Sequence, residues 1–193
     1  MRGIIFRTYI DFIKDKFGYI TLDEILNEKE YPNHGGFSAA ANYSSKCLFS
    51  LIDSSTRLFD NSREQVIEAF GEYAFAYLLN RFKHSYKGAN TPLHLNNPYD
   101  FLEKLNIIHF NELKKLYPDA KFPKFFIERK SDEEIIIEYA SPRNLPGFVY
   151  GLMRGCLKYF NDSSRLTMKQ TDRYRVINNT ECPVYIFEVK NNA

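Results

Sequence analysis

Apolar residues in the first 120 positions recur three and four residues apart, which is the spacing of amphipathic helices. The glycine at position 18 and the proline at position 118 are expected to end two of these helices. Acidic residues behind Thr21 and the polar run from Asn61 to Glu64 are typical of helix starts. The pattern predicts helices over 4–17, from Thr21, over 44–58, from Glu64 to about Phe82, and over 99–117.

The pattern changes in the last third of the chain, where short apolar and alternating runs predict strands. Pro146 favours a helix start there, because proline fits the first turn of a helix, and this helix is predicted to run to Phe160. The sequence therefore predicts an α+β fold with helices first and then a small antiparallel sheet crossed by one helix. The strands are predicted at about 124–129, 134–140, 164–169, 173–178 and 184–189.

Charge and cysteine usage narrow the classes of partner. With 26 basic and 24 acidic residues, the net charge is +2, which gives no electrostatic reason to expect nucleic acid or an acidic membrane surface. No apolar run approaches the length of a membrane span. The three cysteines are far apart, which favours a reducing compartment over a disulfide framework, so we expect a cytoplasmic protein.

The end of the isoleucine-rich strand at 134–140 carries candidate binding chemistry. If the strand continues, Tyr139, Ser141 and Arg143 lie on one face, because side chains alternate along a strand. A phenol, a hydroxyl and a permanently charged guanidinium in one row suit a carboxylate or phosphate ligand. The alternative is a polar strand end with a surface arginine.

His109 is the one ionisable residue on the apolar face of the predicted helix 99–117. At 100° per residue it falls within roughly 20° of the centre of that face, whereas Phe110 falls about 115° away. Such a histidine is either a core residue with a hydrogen-bond partner or a metal or haem ligand. The other histidines and the cysteines have no zinc-ligand spacing, and no catalytic motif is present, which indicates that the chain is not an enzyme.

A histidine on a buried helix face followed by Tyr-x-Ser-x-Arg resembles the H-NOX family, the haem nitric oxide/oxygen-binding domains related to the sensor domain of soluble guanylate cyclase. The resemblance covers nearly the whole chain. It is carried by Met1-Arg2-Gly3-Ile4-Ile5, Gly35-Gly36-Phe37 with Tyr43, Phe70-Gly71-Glu72-Tyr73, Ile108-His109, Leu116-Tyr117-Pro118-Asp119-Ala120, Pro123, and Tyr139, Ser141 and Arg143.

The resemblance implies haem b between two lobes, with His109 as the iron ligand and Tyr139, Ser141 and Arg143 at the propionates. Phe148 falls where oxygen-binding members have a distal tyrosine, so the family pattern implies nitric oxide binding without oxygen binding. Further positions implied to contact the haem are Ile5 and Pro123, which would press on the porphyrin, Leu105 and Leu152, and the distal candidates Ala74, Leu78 and Tyr9.

As a whole, residues 1–193 resemble a single stand-alone sensor domain, with a helical distal lobe over about 1–62 and a proximal α/β lobe over about 63–193. The implied ligands are nitric oxide and carbon monoxide. The implied partner is a separate histidine kinase or cyclic-di-nucleotide enzyme, with no nucleic acid and no membrane involved.

One departure from the family pattern leaves an alternative function open. His109 lies eight residues before Tyr117, one more than the family spacing, so without a gap Phe110 takes the ligand position. The helical geometry favours His109 and implies a local bulge or a shifted register. The rival is a haem-free module that keeps the fold for protein interaction or for binding an apolar ligand, with its many aromatic side chains filling the pocket.

Overall fold

The first helix carries the break that its glycine predicts. The computed structural model describes residues 1–86, 96–109 and 122–191, with side chains up to residue 80 in the first range. Helix α1 spans Gly3–Asn27, and Gly18 interrupts it with φ 87° and ψ 173°. Glycine lacks the Cβ that opposes such a backbone. The predicted helix end at Gly18, and the second helical stretch behind it, are confirmed.

Side-chain caps set the starts of the next two helices. Helix α2 spans Ser45–Phe59, and the Ser44 hydroxyl accepts from the Lys46 amide at 3.3 Å. Helix α3 spans Arg63–Tyr86, somewhat beyond its predicted end. It begins with a reciprocal capping box: the Ser62 hydroxyl accepts from the Gln65 amide at 3.2 Å, and the Gln65 side chain accepts from the Ser62 amide at 2.8 Å.

The single long helix predicted over 99–117 is wrong in its first half. Helix α4 spans Pro98–Glu103 and the short helix α5 spans Leu105–Ile107. Lys104 separates them, because its φ of −89° and ψ of 4° tighten the chain, and its amide bonds to the Phe101 carbonyl. Ile108 and His109 then adopt π-helical geometry, which agrees with the local bulge expected at His109. Residues 110–121, including Phe110 and Tyr117, lie outside the described ranges.

The strands form one antiparallel sheet in the order β1-β2-β4-β3. They are β1 (Lys124–Ser131), β2 (Glu134–Ala140), β3 (Arg165–Ile177) and β4 (Thr180–Lys190). The two strands predicted at 164–169 and 173–178 are one strand, because the polar residues between them form an irregularity within the β3–β4 pairing. Thr171 closes it by donating to the Val184 carbonyl at 3.0 Å.

Two hydrophobic clusters make up most of the core. One joins α1, α2 and the first half of α3, and the other joins the second half of α3, α4, the sheet and helix α6 (Pro146–Tyr159). Helices α3 and α6 approach closely at glycines: a Cβ on Gly151 would lie 2.1 Å from the Glu68 carbonyl oxygen. In the described ranges, no helix is long and apolar enough to cross a membrane.

Candidate functional site

A cavity of about 440 Å³ is lined by residues from both hydrophobic clusters. This size lies within the range of small-molecule and cofactor sites, and its walls are mostly hydrocarbon. The cavity brings together residues from distant segments of the chain that were predicted from the sequence to form one site. Those that line it are Ile5, Leu78, Leu105, His109, Pro123, Tyr139, Ser141, Arg143, Phe148 and Leu152.

Two of the predicted distal residues lie behind the wall of the cavity. Ala74 is fully buried in the N-terminal cluster, and Tyr9 is fully buried beside it. The Tyr9 hydroxyl lies 2.6 Å from the hydroxyl of Ser55, which donates its own proton to the Leu51 carbonyl at 2.8 Å. Tyr9 must therefore donate to Ser55, so its proton is already engaged outside the cavity.

The row of Tyr139, Ser141 and Arg143 is formed by a strand end and a loop. The continued strand predicted there is wrong, because β2 ends at Ala140 and the chain turns. The Ser141 hydroxyl accepts from the Arg143 amide at 3.3 Å, and the Tyr139 hydroxyl accepts from the Leu145 amide at 3.3 Å. These two bonds curl the loop back toward the strand, so that all three side chains face the same cavity.

Burial and the neighbouring positive charge shift the pKa of Tyr139 in opposite directions. Burial raises the pKa of Tyr139 above its ordinary value, while the hydrogen bonds from Ser141 and Leu145 and the charge of Arg143 oppose that rise. Burial also lowers the pKa of Arg143, although a guanidinium stays charged at any physiological pH. The group therefore presents a protonated phenol, a hydroxyl and one fixed positive charge.

His109 presents an imidazole on another wall. Its Nδ1 lies 2.8 Å from the Leu105 carbonyl oxygen, and its ring packs against Phe122 and Phe125 with centroids 5.7 and 5.4 Å apart. Burial lowers the pKa of His109, which favours the neutral ring. Because a carbonyl oxygen only accepts, Nδ1 carries the proton and Nε2 keeps a free lone pair.

The remaining walls are apolar, and several of their residues were missed from the sequence. Phe148 packs on Phe70 with ring centroids 4.9 Å apart. Along α6, further lining residues follow Phe148 and Leu152 at helical spacing, a signal that could have identified them. They are Val149, Met153 and Cys156, and burial raises the pKa of the Cys156 thiol, which keeps it protonated.

The chemistry of these donors fits an iron porphyrin. A neutral imidazole with a free lone pair suits iron, and the hydrocarbon walls suit a flat macrocycle. The guanidinium, phenol and hydroxyl suit the two carboxylates that a haem carries. Among the described residues that line the cavity, none is acidic.

Comparison with known proteins agrees with this chemistry. The family model described as "Haem-NO-binding" matches residues 2–168. The fold is similar to that of the Fe(II) unliganded H-NOX protein from K. algicida, at 26% identity and a TM-score of 0.79, covering 100% of this chain and 98% of that one. It is also similar to the S. oneidensis H-NOX protein in the Fe(II)NO ligation state, at 21% identity and a TM-score of 0.77, covering 99% and 100%.

A third similar structure is the I5F mutant of the T. Tengcongensis H-NOX, with 16% identity, a TM-score of 0.77, and coverage of 99% and 98%. No curated protein sequence matches the chain. The fold and the family match together define a haem-binding gas-sensor domain. The chain belongs to the haem-NO-binding, or H-NOX, family.

Family membership decides three of the sequence predictions. The resemblance and the α+β fold class are confirmed. The prediction that the chain is not an enzyme is confirmed as well, since H-NOX domains are sensors rather than catalysts. The family binds haem and gases such as nitric oxide and signals to partners.

Proposed function

We propose that this chain is a nitric oxide sensor that holds haem b in its cavity, with His109 as the iron ligand. The observation that carries the proposal is one apolar cavity lined by a neutral imidazole and by the Tyr139, Ser141 and Arg143 group. Its three free cysteines are consistent with a cytoplasmic location.

The contact with Leu105 orients the His109 imidazole for binding a metal. The carbonyl oxygen 2.8 Å from Nδ1 fixes the tautomer and the orientation of the ring. Such a hydrogen bond also raises the basicity of Nε2, as is usual for histidines that bind metals. The aromatic rings of Phe122 and Phe125 restrict rotation of the imidazole.

Tyr139, Ser141 and Arg143 hold the haem carboxylates. Charge-assisted hydrogen bonds from a guanidinium are about twice as strong as neutral ones. The phenol is rigid because it packs in the sheet core, where its ring centroid lies 5.7 Å from that of Phe125. Pro123, Ile5, Leu105 and Leu152 line the cavity and would supply hydrocarbon contacts to the macrocycle.

The wall around Phe148 favours nitric oxide and carbon monoxide over oxygen. Haem, when bound, supplies an iron atom that takes up a diatomic gas. Bound oxygen is stabilised by a hydrogen-bond donor, and Phe148, Leu78 and Phe70 have none. The nearby Tyr9 hydroxyl is committed to Ser55.

A movement of His109 would be transmitted to the sheet through the neighbouring residue Asn106. The Asn106 side chain, three residues before the histidine, donates to the Phe125 carbonyl of β1 at 2.9 Å. A shift of the π-helical turn at Ile108 and His109 therefore changes a contact with β1 and with it the surface offered to a partner. We infer a separate partner, either a histidine kinase or a cyclic-di-nucleotide enzyme, that responds to a movement between lobes 1–62 and 63–193.

The alternative is a haem-free module that binds an apolar ligand or a protein, which the hydrocarbon walls also suit. Absorption spectra of the purified protein, supplied with haemin, separate the two functions. The sensor shows a strong Soret band that shifts with nitric oxide and keeps its ferrous position in air. A colourless protein that does not take up haemin rules the sensor out.

A further inference from the structure

The N-terminal segment contributes a second arginine to the cavity, and its Nη1 donates to the Asn42 side-chain oxygen at 3.5 Å. Arg2 lines the cavity together with Arg143, although the two residues are far apart in the sequence. Arg2 precedes α1, whereas Arg143 follows β2. The described residues that line the cavity include these cations and no carboxylate.

Arg2 is held in place by its backbone. It forms an isolated antiparallel bridge with Asn42, flanked by bonds from the Gly3 amide to the Ala41 carbonyl at 2.8 Å and from the Tyr43 amide to the Met1 carbonyl at 2.9 Å. A Cβ on Gly3 would lie 1.9 Å from the Ser38 carbonyl oxygen, so glycine permits this close approach. The segment therefore carries Arg2 on a fixed support.

The positive charges of Arg2 and Arg143 both act on the Met1 amino group. Burial lowers the pKa of the Met1 amino group, and the charges of Arg143 and Arg2 lower it further. Like charges gathered beside an apolar cavity repel one another more strongly than they would in water. An anion placed among them relieves this repulsion, so this end of the cavity is suited to a ligand with more than one negative charge.

We propose that Arg2 is a second carboxylate anchor, so that the two haem carboxylates join the N-terminal segment to the loop after β2. The inference rests on the proposed haem function and extends it, because Arg2 lies outside the Tyr139, Ser141 and Arg143 group. Haem carboxylates held by Arg2 and by Arg143 would tie together two segments that are distant in the sequence and line the same cavity.

The test compares haemin with haemin dimethyl ester, in which methyl esters block both carboxylates and remove their charge. Arg2→Ala, Arg2→Lys and the control Arg7→Ala, which alters an exposed arginine on α1, are loaded with each ligand. Dissociation rates are measured by capture with excess apomyoglobin. Arg2→Ala should release haemin about tenfold faster than the unaltered protein, the order expected for one partly exposed charge-assisted hydrogen bond.

Arg2→Lys should retain part of the effect, Arg7→Ala should show none, and the dimethyl ester should leave all four proteins alike. Urea unfolding of Arg2→Ala without ligand measures separately how much the fold depends on Arg2, whose guanidinium donates to Asn42 at 3.5 Å. Equal acceleration for both ligands, or no acceleration for haemin, overturns the role of Arg2 and leaves the haem function intact. Failure of the unaltered protein to bind haemin overturns both.

Discussion

Removing one oxygen atom from Tyr139 tests the carboxylate-binding group of Tyr139, Ser141 and Arg143 without disturbing the core. Tyr139→Phe keeps the ring, whose centroid lies 5.7 Å from that of Phe125, 6.4 Å from that of Tyr185 and 6.2 Å from that of Phe187. The hydroxyl is lost, and with it the acceptor 3.3 Å from the Leu145 amide. No cavity larger than one oxygen atom is created, so the packing term is small.

The magnitude follows from the bond that this hydroxyl accepts from the Leu145 amide and from the bond proposed to a haem carboxylate. An unsatisfied buried amide costs about 1–3 kcal/mol, and the 3.3 Å separation places the Leu145 bond at the lower end, at about 1 kcal/mol of unfolding free energy. A hydrogen bond from the phenol to a haem carboxylate is charge-assisted and contributes about 1.5 kcal/mol, or about a tenfold change in haemin affinity. Tyr139→Phe should therefore lower affinity more than stability.

Haemin titration followed at the Soret band measures the affinity, and urea unfolding of the haem-free protein measures the stability. Tyr185→Phe is the matched control, since Tyr185 is buried in the same cluster of the sheet and does not line the cavity. It should leave haemin affinity unchanged. Equal affinities for Tyr139→Phe and the unaltered protein, or equal losses in both variants, would refute the role assigned to the Tyr139 hydroxyl.

Three further changes test the gas-binding wall, the helix contact and the outer face of the sheet. Phe148→Tyr adds a donor and should give the ferrous protein an oxygen-bound spectrum in air. Gly151→Ala places a Cβ 2.1 Å from the Glu68 carbonyl oxygen, so it should lower the unfolding free energy by about 1–3 kcal/mol in urea. Hydrogen bonds from Arg175 and then Arg173 hold the pKa of Glu138 below its ordinary value, so urea stability should fall as pH drops below about 4.5.

Each of these changes has a matched control. Phe148→Leu adds no donor and should not bind oxygen. A Cβ on Gly147 meets the side chains of Ile67 and Glu68 at ordinary contact distances of 3.4 Å and 3.7 Å, so a loss in Gly147→Ala as large as that in Gly151→Ala would contradict the close-contact explanation. A carboxyl whose pKa is lower in the folded than in the unfolded protein stabilises the folded state at pH values above its unfolded pKa. Glu138→Gln should therefore flatten the acid-side loss of stability, which Glu128→Gln, at an exposed site, should leave in place.

Local patterns predicted most element boundaries because caps and breakers lie next to the residues they control. Gly18 interrupts α1, Ser44 caps α2, and Pro146 lies in the first turn of α6. The polar residues around Thr171 could equally form a turn or a strand irregularity, and only the bond to Val184 across the sheet decides between them. A single sequence does not contain that partner.

Most residues expected at the haem site line the cavity, whereas Ala74 and Tyr9 do not, and the geometry that brings the others there was not predicted. Tyr139 and Arg143 line one cavity, yet the loop after Ala140 brings them there instead of a continued strand. The break at Lys104 was likewise invisible to apolar spacing, which continues through it. Arg2 gave no signal, because its position at the cavity depends on a bridge to Asn42, forty residues away.

The central claim is that His109 ligates the haem iron, and replacing its side chain with added imidazole tests that claim most directly. His109→Gly should lose the Soret band during purification and recover it when haemin and imidazole are supplied together, because free imidazole then occupies the space of the missing ring. His34→Ala, at an exposed histidine, should keep the spectrum of the unaltered protein. A His109→Gly protein that retains haem with an unchanged Soret band and no imidazole dependence would contradict the assignment.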